Sequence, residues 1–153
     1  MNSTNTNTKD RHKNLPSYLI FGVFCGECAR HCATMYCYNM LGNANTLFVD
    51  STDSYFKNNG KVSCNIQVRD VRKFQIVNKL VQQIPGSLLK TDKLEQTYGC
   101  PDCKDGCGIY FEVRQDTSVK KFWIDYHTVN LDKEVGRFGE ELKQAVANLR
   151  DPK

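Results

Sequence analysis

The stretch SYLIFGVFCGECARHCATMYCYNM, residues 17–40, decides how this chain is read. Its first eight residues, SYLIFGVF, are apolar almost throughout and of strand length, which predicts a strand buried on both faces. Cysteines follow at 25, 28 and 32, a C-x-x-C-x-x-x-C spacing, and ATMYCYNM (33–40) reads as a second strand. The same spacing returns 75 residues later in CPDCKDGC, residues 100–107. A small chain that carries this spacing twice points to two loops building one sulfur-rich site.

Outward from that stretch, LGNAN (41–45) carries turn chemistry and TLFVD (46–50) continues as a third strand. Residues 51–60 are polar and end in NNG. KVSCNIQV (61–68) then alternates, with Val62, Cys64, Ile66 and Val68 on one face, the pattern of a half-buried strand. The period changes at Asp70, a candidate N-cap: Val71, Phe74, Val77, Leu80, Val81 and Ile84 follow helical spacing until Pro85-Gly86. Residues 87–96 fit no single pattern. Beyond the second cysteine loop, GIYFEVR and KKFWIDYH form a hairpin around RQDTSV, with Ile109, Phe111 and Val113 on one face and Phe122, Ile124 and Tyr126 on the other strand's matching face. The last element is helical: Leu131, Val135, Phe138, Leu142, Val146 and Leu149 step by three and four, with Asn130 as candidate N-cap. Gly136 and Gly139 each weaken it by roughly 1 kcal/mol relative to Ala, a cost consistent with close approach to a sheet.

These elements predict an α+β fold: an antiparallel sheet with two amphipathic helices on one face, and the two cysteine loops together at one end. The first half reads strand, cysteine loop, three strands and a helix, and the second reads short strand, cysteine loop, two strands and a helix, so a degenerate internal repeat is a further expectation. With 153 residues, one domain over 17–150 is expected, behind a polar, disordered tail at 1–16. The net charge of +4 is mixed with acids rather than drawn into a basic stripe, which argues against nucleic-acid binding. The longest apolar run, residues 18–26, is about half of what a membrane span requires, so no transmembrane segment is expected. The first residues lack an apolar leader core. With a native N-terminus the protein is cytoplasmic. If a leader was removed it is extracytoplasmic, and a lipid anchor is compatible with the tail.

Eight cysteines are many for a cytosolic protein, and compartment decides what they do. The loops admit a structural zinc site, since two C-x-x-C turns supply the four thiolates that tetrahedral Zn²⁺ takes. The simplest set is Cys25, Cys28, Cys100 and Cys103, with Cys32 and Cys107 as substitutes and His31 as a nitrogen donor. They equally admit disulfides within or between loops. A thiol oxidoreductase using Cys25 and Cys28 is the rival from another class, because FCGEC follows an apolar strand as in thioredoxin-type sites; the strand-like 33–40 displaces the helix such a site needs. A ferredoxin-like cluster lacks its upstream cysteine, since position 22 is Gly22. Cys37 and Cys64, inside strands, read as small buried apolar residues. His127 shares a strand with Asp125 and Trp123, the makings of a Cys–His–Asp arrangement, although an exposed sheet face is the plainer reading. Asp50, Asp53 and Asp92 read as solvated loop acids, and no phosphate loop, serine elbow or H-E-x-x-H occurs.

The segments FGVFCGECARHCATMY (21–36), LFVDSTDSYF (47–56), YGCPDCKDGCGIYFEV (98–113) and KKFWIDYH (120–127) resemble a group of small uncharacterised bacterial proteins, many of them lipoprotein-like or exported. That group's pattern is G-E-C…C-x-x-M-Y followed by G-C-P-D-C-x-D-x-G-G. The resemblance implies that Cys28, Cys32, Cys100 and Cys103 belong to the pattern. Cys25, Cys37, Cys64 and Cys107 would be additions of this chain, Cys107 standing where the pattern has Gly. This demotes Cys25 as a zinc ligand and favours disulfides, and it brings no activity with it. The expectation is a non-enzymatic cysteine-rich domain, held by Zn²⁺ or disulfides, that binds an unidentified protein partner.

Overall fold

The structure, a computed structural model, describes residues 15–101, 103 and 106–151. The polar tail expected at 1–16 lies outside them apart from Leu15 and Pro16. The chain folds as α+β. Its elements are β1 (Tyr18–Cys25), β2 (Ala33–Asn39), β3 (Thr46–Val49), α1 (Ser54–Lys57), β4 (Ile66–Val68), α2 (Val71–Gln82), α3 (Gly86–Lys90), β5 (Glu95–Tyr98), β6 (Cys107–Gln115), β7 (Ser118–Asp125) and α4 (Lys133–Leu149). The seven strands form one sheet in the order β4-β3-β2-β1-β6-β7-β5. Every pairing is antiparallel except that of β5 with β7.

β1 lies near the middle of the sheet and is buried on both faces, as its unbroken apolar run requires. Leu19 and Phe21 join Tyr36, Tyr38, Ile109, Phe111, Val113, Phe122 and Ile124 under α2 and α4, whose Val77, Leu80, Phe138 and Leu142 complete that core. Both amphipathic helices therefore share one face. Asp70 caps α2 by accepting the N–H of Arg72. α4 is capped two residues later than Asn130: the Asp132 carboxylate accepts the N–H groups of Glu134 and Val135 at 3.1 and 3.3 Å. Gly139 is where α4 meets the sheet, since an added Cβ would lie 3.4 Å from Ile109 and 3.5 Å from Ile124.

On the opposite face Ile20, Phe24, Ala33, Met35, Cys37 and Tyr110 form a second core, against which Phe48, Tyr55, Val62, Cys64 and Trp123 pack. The strand expected over 61–68 is confined to Ile66–Val68, whose Ile66 is 49% exposed. Val62 and Cys64 instead belong to a loop folded across this second face. The Ser63 N–H donates to Ser54 Oγ at 2.8 Å, and a Cys37–Cys64 disulfide ties the loop to β2. Asp50 holds the start of that loop. It is buried rather than solvated, accepting the N–H and hydroxyl of both Thr52 and Ser54. Asp53 likewise turns inward, accepting the Ala33 N–H at 3.0 Å, while Asp92 is exposed as expected. Residues 87–96 resolve into α3 and the edge strand β5. The suggested repeat does not extend to strand pairing: β1 pairs antiparallel with the strand after its cysteine loop, whereas β5 skips β6 and pairs parallel with β7.

Candidate functional site at the cysteine-loop end of the sheet

The two cysteine loops meet because β1 ends where β6 begins. Cys25 and Cys107 are direct register partners, their Cα atoms 4.0 Å apart, and are joined by a disulfide. Main-chain bonds continue outward on both sides. Cys25 N–H donates to the Cys32 carbonyl at 2.7 Å, Gly26 N–H to Gly106 at 3.5 Å, and Gly106 N–H to Cys103 at 3.1 Å. Each loop also closes on itself, through Cys28–Cys32 and Cys100–Cys103, with Cα separations of 5.5 and 5.3 Å. With Cys37–Cys64, all eight cysteines are paired.

Three of these four pairings involve the predicted site residues. Cys25 bonds Cys107 rather than Cys28, so the C-G-E-C segment is not one dithiol pair, and residues 26–32 run to β2 without a helix. The set Cys25, Cys28, Cys100 and Cys103 is divided among three disulfides. A zinc ligand must be a thiolate, and in this oxidised pairing each of those sulfurs is bonded to another. Among the described residues, no group of three or more His, Cys, Asp or Glu could hold a metal ion. His31 is exposed on the first loop with φ of 53°. Cys37 and Cys64, read from the sequence as independent buried residues, are bonded because the 51–65 loop brings Cys64 back onto β2.

Asp125 does meet both a cysteine and a histidine, through their main chains. Its Oδ2 accepts the Cys100 N–H and its Oδ1 the His127 N–H, each at 3.0 Å. Gly99 permits the first contact: its φ is +71°, and a Cβ there would sit 2.6 Å from that of Asp125. Pro101 is buried, packed where Gly108 lets the main chain pass close to it and to Phe24. The second cysteine loop is thus anchored at both ends while Cys100 and Cys103 stay exposed.

Beside Cys100 lies a cavity of about 440 Å³, lined by Thr97, Gly99, Cys100, Pro101 and Trp123. Trp123 is half-buried, 5.7 Å between ring centres from Tyr110. Burial and the Glu112 carboxylate, which accepts the Tyr110 hydroxyl at 2.6 Å, both hold that phenol above its ordinary range. The cavity lies at the C-terminal end of β5, which contributes Thr97. Lys121 N–H donates to the Leu94 carbonyl at 2.8 Å, and the parallel register pairs Glu95 with Lys121 and Thr97 with Trp123. The parity of such a ladder turns the main-chain groups of Leu94, Gln96 and Tyr98 toward β7 and those of Glu95 and Thr97 outward. The short strand expected before the second cysteine loop is β5, but sequence reasoning missed its edge position and this cavity; EQTY is polar, and only the sheet order shows it to be an edge.

Among the described residues, no helix is long and apolar enough to cross a membrane. No family model, curated protein or solved structure matches the chain.

Proposed function

We propose that this protein is a non-enzymatic binding domain, fixed by disulfides, that meets a protein partner at the cysteine-loop end of its sheet. The observation that carries the reading is the cavity under Trp123, set at the end of an edge strand and framed by an anchored loop. A concave site with one aromatic wall and a few polar groups is the usual form of a recognition pocket. An edge strand with outward N–H and C=O groups is a template for an extended partner segment. Four disulfides suit an oxidising compartment, where such bonds persist. The fold, not a bound ion, then holds the loops in place, and zinc is the alternative that the first measurement addresses.

Two experiments test this. Intact mass of the native protein is expected to fall two hydrogens short for each of its four disulfides, with no metal excess. A zinc adduct with thiols that titrate after unfolding would replace disulfides by metal. Peptides selected from a displayed library against the oxidised protein are expected to shift the amide resonances of Thr97 and Gly99 and the Trp123 indole. Selected peptides that map elsewhere, or a library that yields no binder, would sink the binding site.

A further inference from the structure

We infer that the Cys100–Cys103 disulfide is a thiol-exchange site whose substrate class is an extended protein segment carrying a pair of cysteines. The inference rests on the binding reading above and adds to it one stoichiometric exchange per chain, without turnover. Of the four disulfides, this one is placed to meet a partner. Cys37 is 5% exposed, and Cys25–Cys107 joins two strands already in register. Cys28–Cys32 is also local, but its loop connects β1 and β2, both interior strands without a free edge. Cys100 instead lies just past the end of β5 and lines the Trp123 cavity, and both it and Cys103 are exposed. Exposed disulfides are the class from which labile and exchanging bonds are drawn.

A segment paired to β5 would use the outward N–H and C=O groups of Glu95 and Thr97 and place an apolar side chain against Trp123. Its thiol then arrives at Cys100. The partner thiolate attacks Cys100 Sγ, the bond to Cys103 breaks, and its electron pair leaves on the Cys103 sulfur, which takes a proton from water. Cys100 is the sulfur that lines the cavity, so attack falls there and Cys103 is the leaving group. The partner's second thiolate attacks the partner sulfur of the mixed disulfide and expels Cys100, which is protonated in turn. The partner dithiol is oxidised by two electrons and Cys100–Cys103 is reduced by two.

The test uses the full oxidised chain with two reductants: glutathione, and a synthetic Val- and Thr-rich peptide bearing one Phe beside a cysteine pair. Acid quenching, alkylation and peptide mass mapping report which disulfide opens. Emission of Trp123, the chain's only tryptophan, should rise as the neighbouring disulfide, a quencher, opens. Cys100–Cys103 is expected to open first, and at least about tenfold faster with the peptide than with glutathione, the gain of docking before reaction. Trp123→Ala should cut that advantage, read as the ratio of peptide rate to glutathione rate within the same variant, to about twofold. Thr97→Pro, which removes one outward N–H that an edge strand can spare, should do the same. Opening of Cys28–Cys32 as fast as Cys100–Cys103 would overturn the inference, as would a peptide advantage that is absent or survives both variants. A Ser-for-Cys version of the peptide separates the two readings. If it binds at Trp123 while the cysteine-bearing peptide leaves Cys100–Cys103 closed, the exchange falls and the binding site stands; if it does not bind, the binding site falls too.

Discussion

Removing Cys25–Cys107 with a C25A/C107A pair should destabilise the oxidised protein far more than removing Cys28–Cys32 with C28A/C32A. In the chain-entropy account a disulfide acts on the unfolded state, and its effect grows with the logarithm of the loop it closes. Cys25 and Cys107 are 82 residues apart, Cys28 and Cys32 only 4. Three shorter loops nest inside the large one, and Cys37–Cys64 alone bridges 27 residues of it. The effective loop is therefore about 50 residues, which gives about 4 kcal/mol against about 2 kcal/mol for the small loop. The native state should change little in either variant. β1 and β6 keep their ladder from Tyr18 to Phe24, and the Cys25 N–H keeps its bond to the Cys32 carbonyl. Urea unfolding, followed by Trp123 emission and far-ultraviolet circular dichroism, should read the gap of about 2 kcal/mol as a midpoint difference of about 1 M, for a slope of about 2 kcal/mol/M. Equal midpoints for the two variants would refute the reasoning, since they would mean that native-state contacts, not loop closure, set the contribution of each bond.

Three further outcomes follow from the fold. Gly22→Ala should cost at least about 2 kcal/mol in urea unfolding, because a Cβ would run into the Thr34 carbonyl and lie 2.6 Å from Met35 Sδ between paired strands. Asp50 is pushed up by burial, but its bonds from Ser54 and Thr52 outweigh this and hold it below the ordinary carboxylate range. A depressed folded value means stability present above pH ~4 and lost as pH falls through that lower range. Asp50→Asn should flatten this acid limb and cost about 1–3 kcal/mol at neutral pH, measured by unfolding across pH. Asp132→Ala should cost about 1 kcal/mol in the same assay by removing the α4 cap, whereas Asn130→Ala should be near neutral.

The elements legible in the sequence are those whose own residues meet the core. β1 is apolar without a break because both its faces are covered. β6 and β7 alternate because one side of each lies under α4, and their two-residue turn is marked by Asp116, at φ of 52°. Both amphipathic helices are visible for the same reason. What escaped was set by partners distant in sequence. Val62 and Cys64 alternate like strand residues, yet they pack on the second face as a loop, because a period of two does not distinguish a ladder from an extended segment tied by a disulfide. β5 is polar because an edge strand meets water, so a short strand is expected before the second cysteine loop but no hydrophobic pattern fixes its bounds or its place in the sheet. Asp50 looks like a loop acid until Thr52 and Ser54 are seen to fold their donors back onto it. Eight cysteines allow about 105 pairings, and no spacing rule chooses among them.

The four disulfides nevertheless fall into two sets. Cys28–Cys32 and Cys100–Cys103 each lie within one cysteine loop, whereas Cys25–Cys107 and Cys37–Cys64 join separate segments of the chain. The sets also differ in what they do to the chain. Cys25–Cys107 and Cys37–Cys64 close long loops and staple the sheet, so they stabilise the fold. Cys28–Cys32 and Cys100–Cys103 close loops with separations of 4 and 3, for which the entropic gain is smallest. A bond that contributes little to stability and lies exposed is better explained by what it presents than by what it holds. The second cysteine loop is such a case: a short disulfide, an edge strand and Trp123 converge there on one cavity. It also separates the roles experimentally: loss of the long-range pair should lower stability and leave peptide docking at Trp123 intact, while loss of Cys100–Cys103 should abolish exchange and lower stability by no more than about 2 kcal/mol.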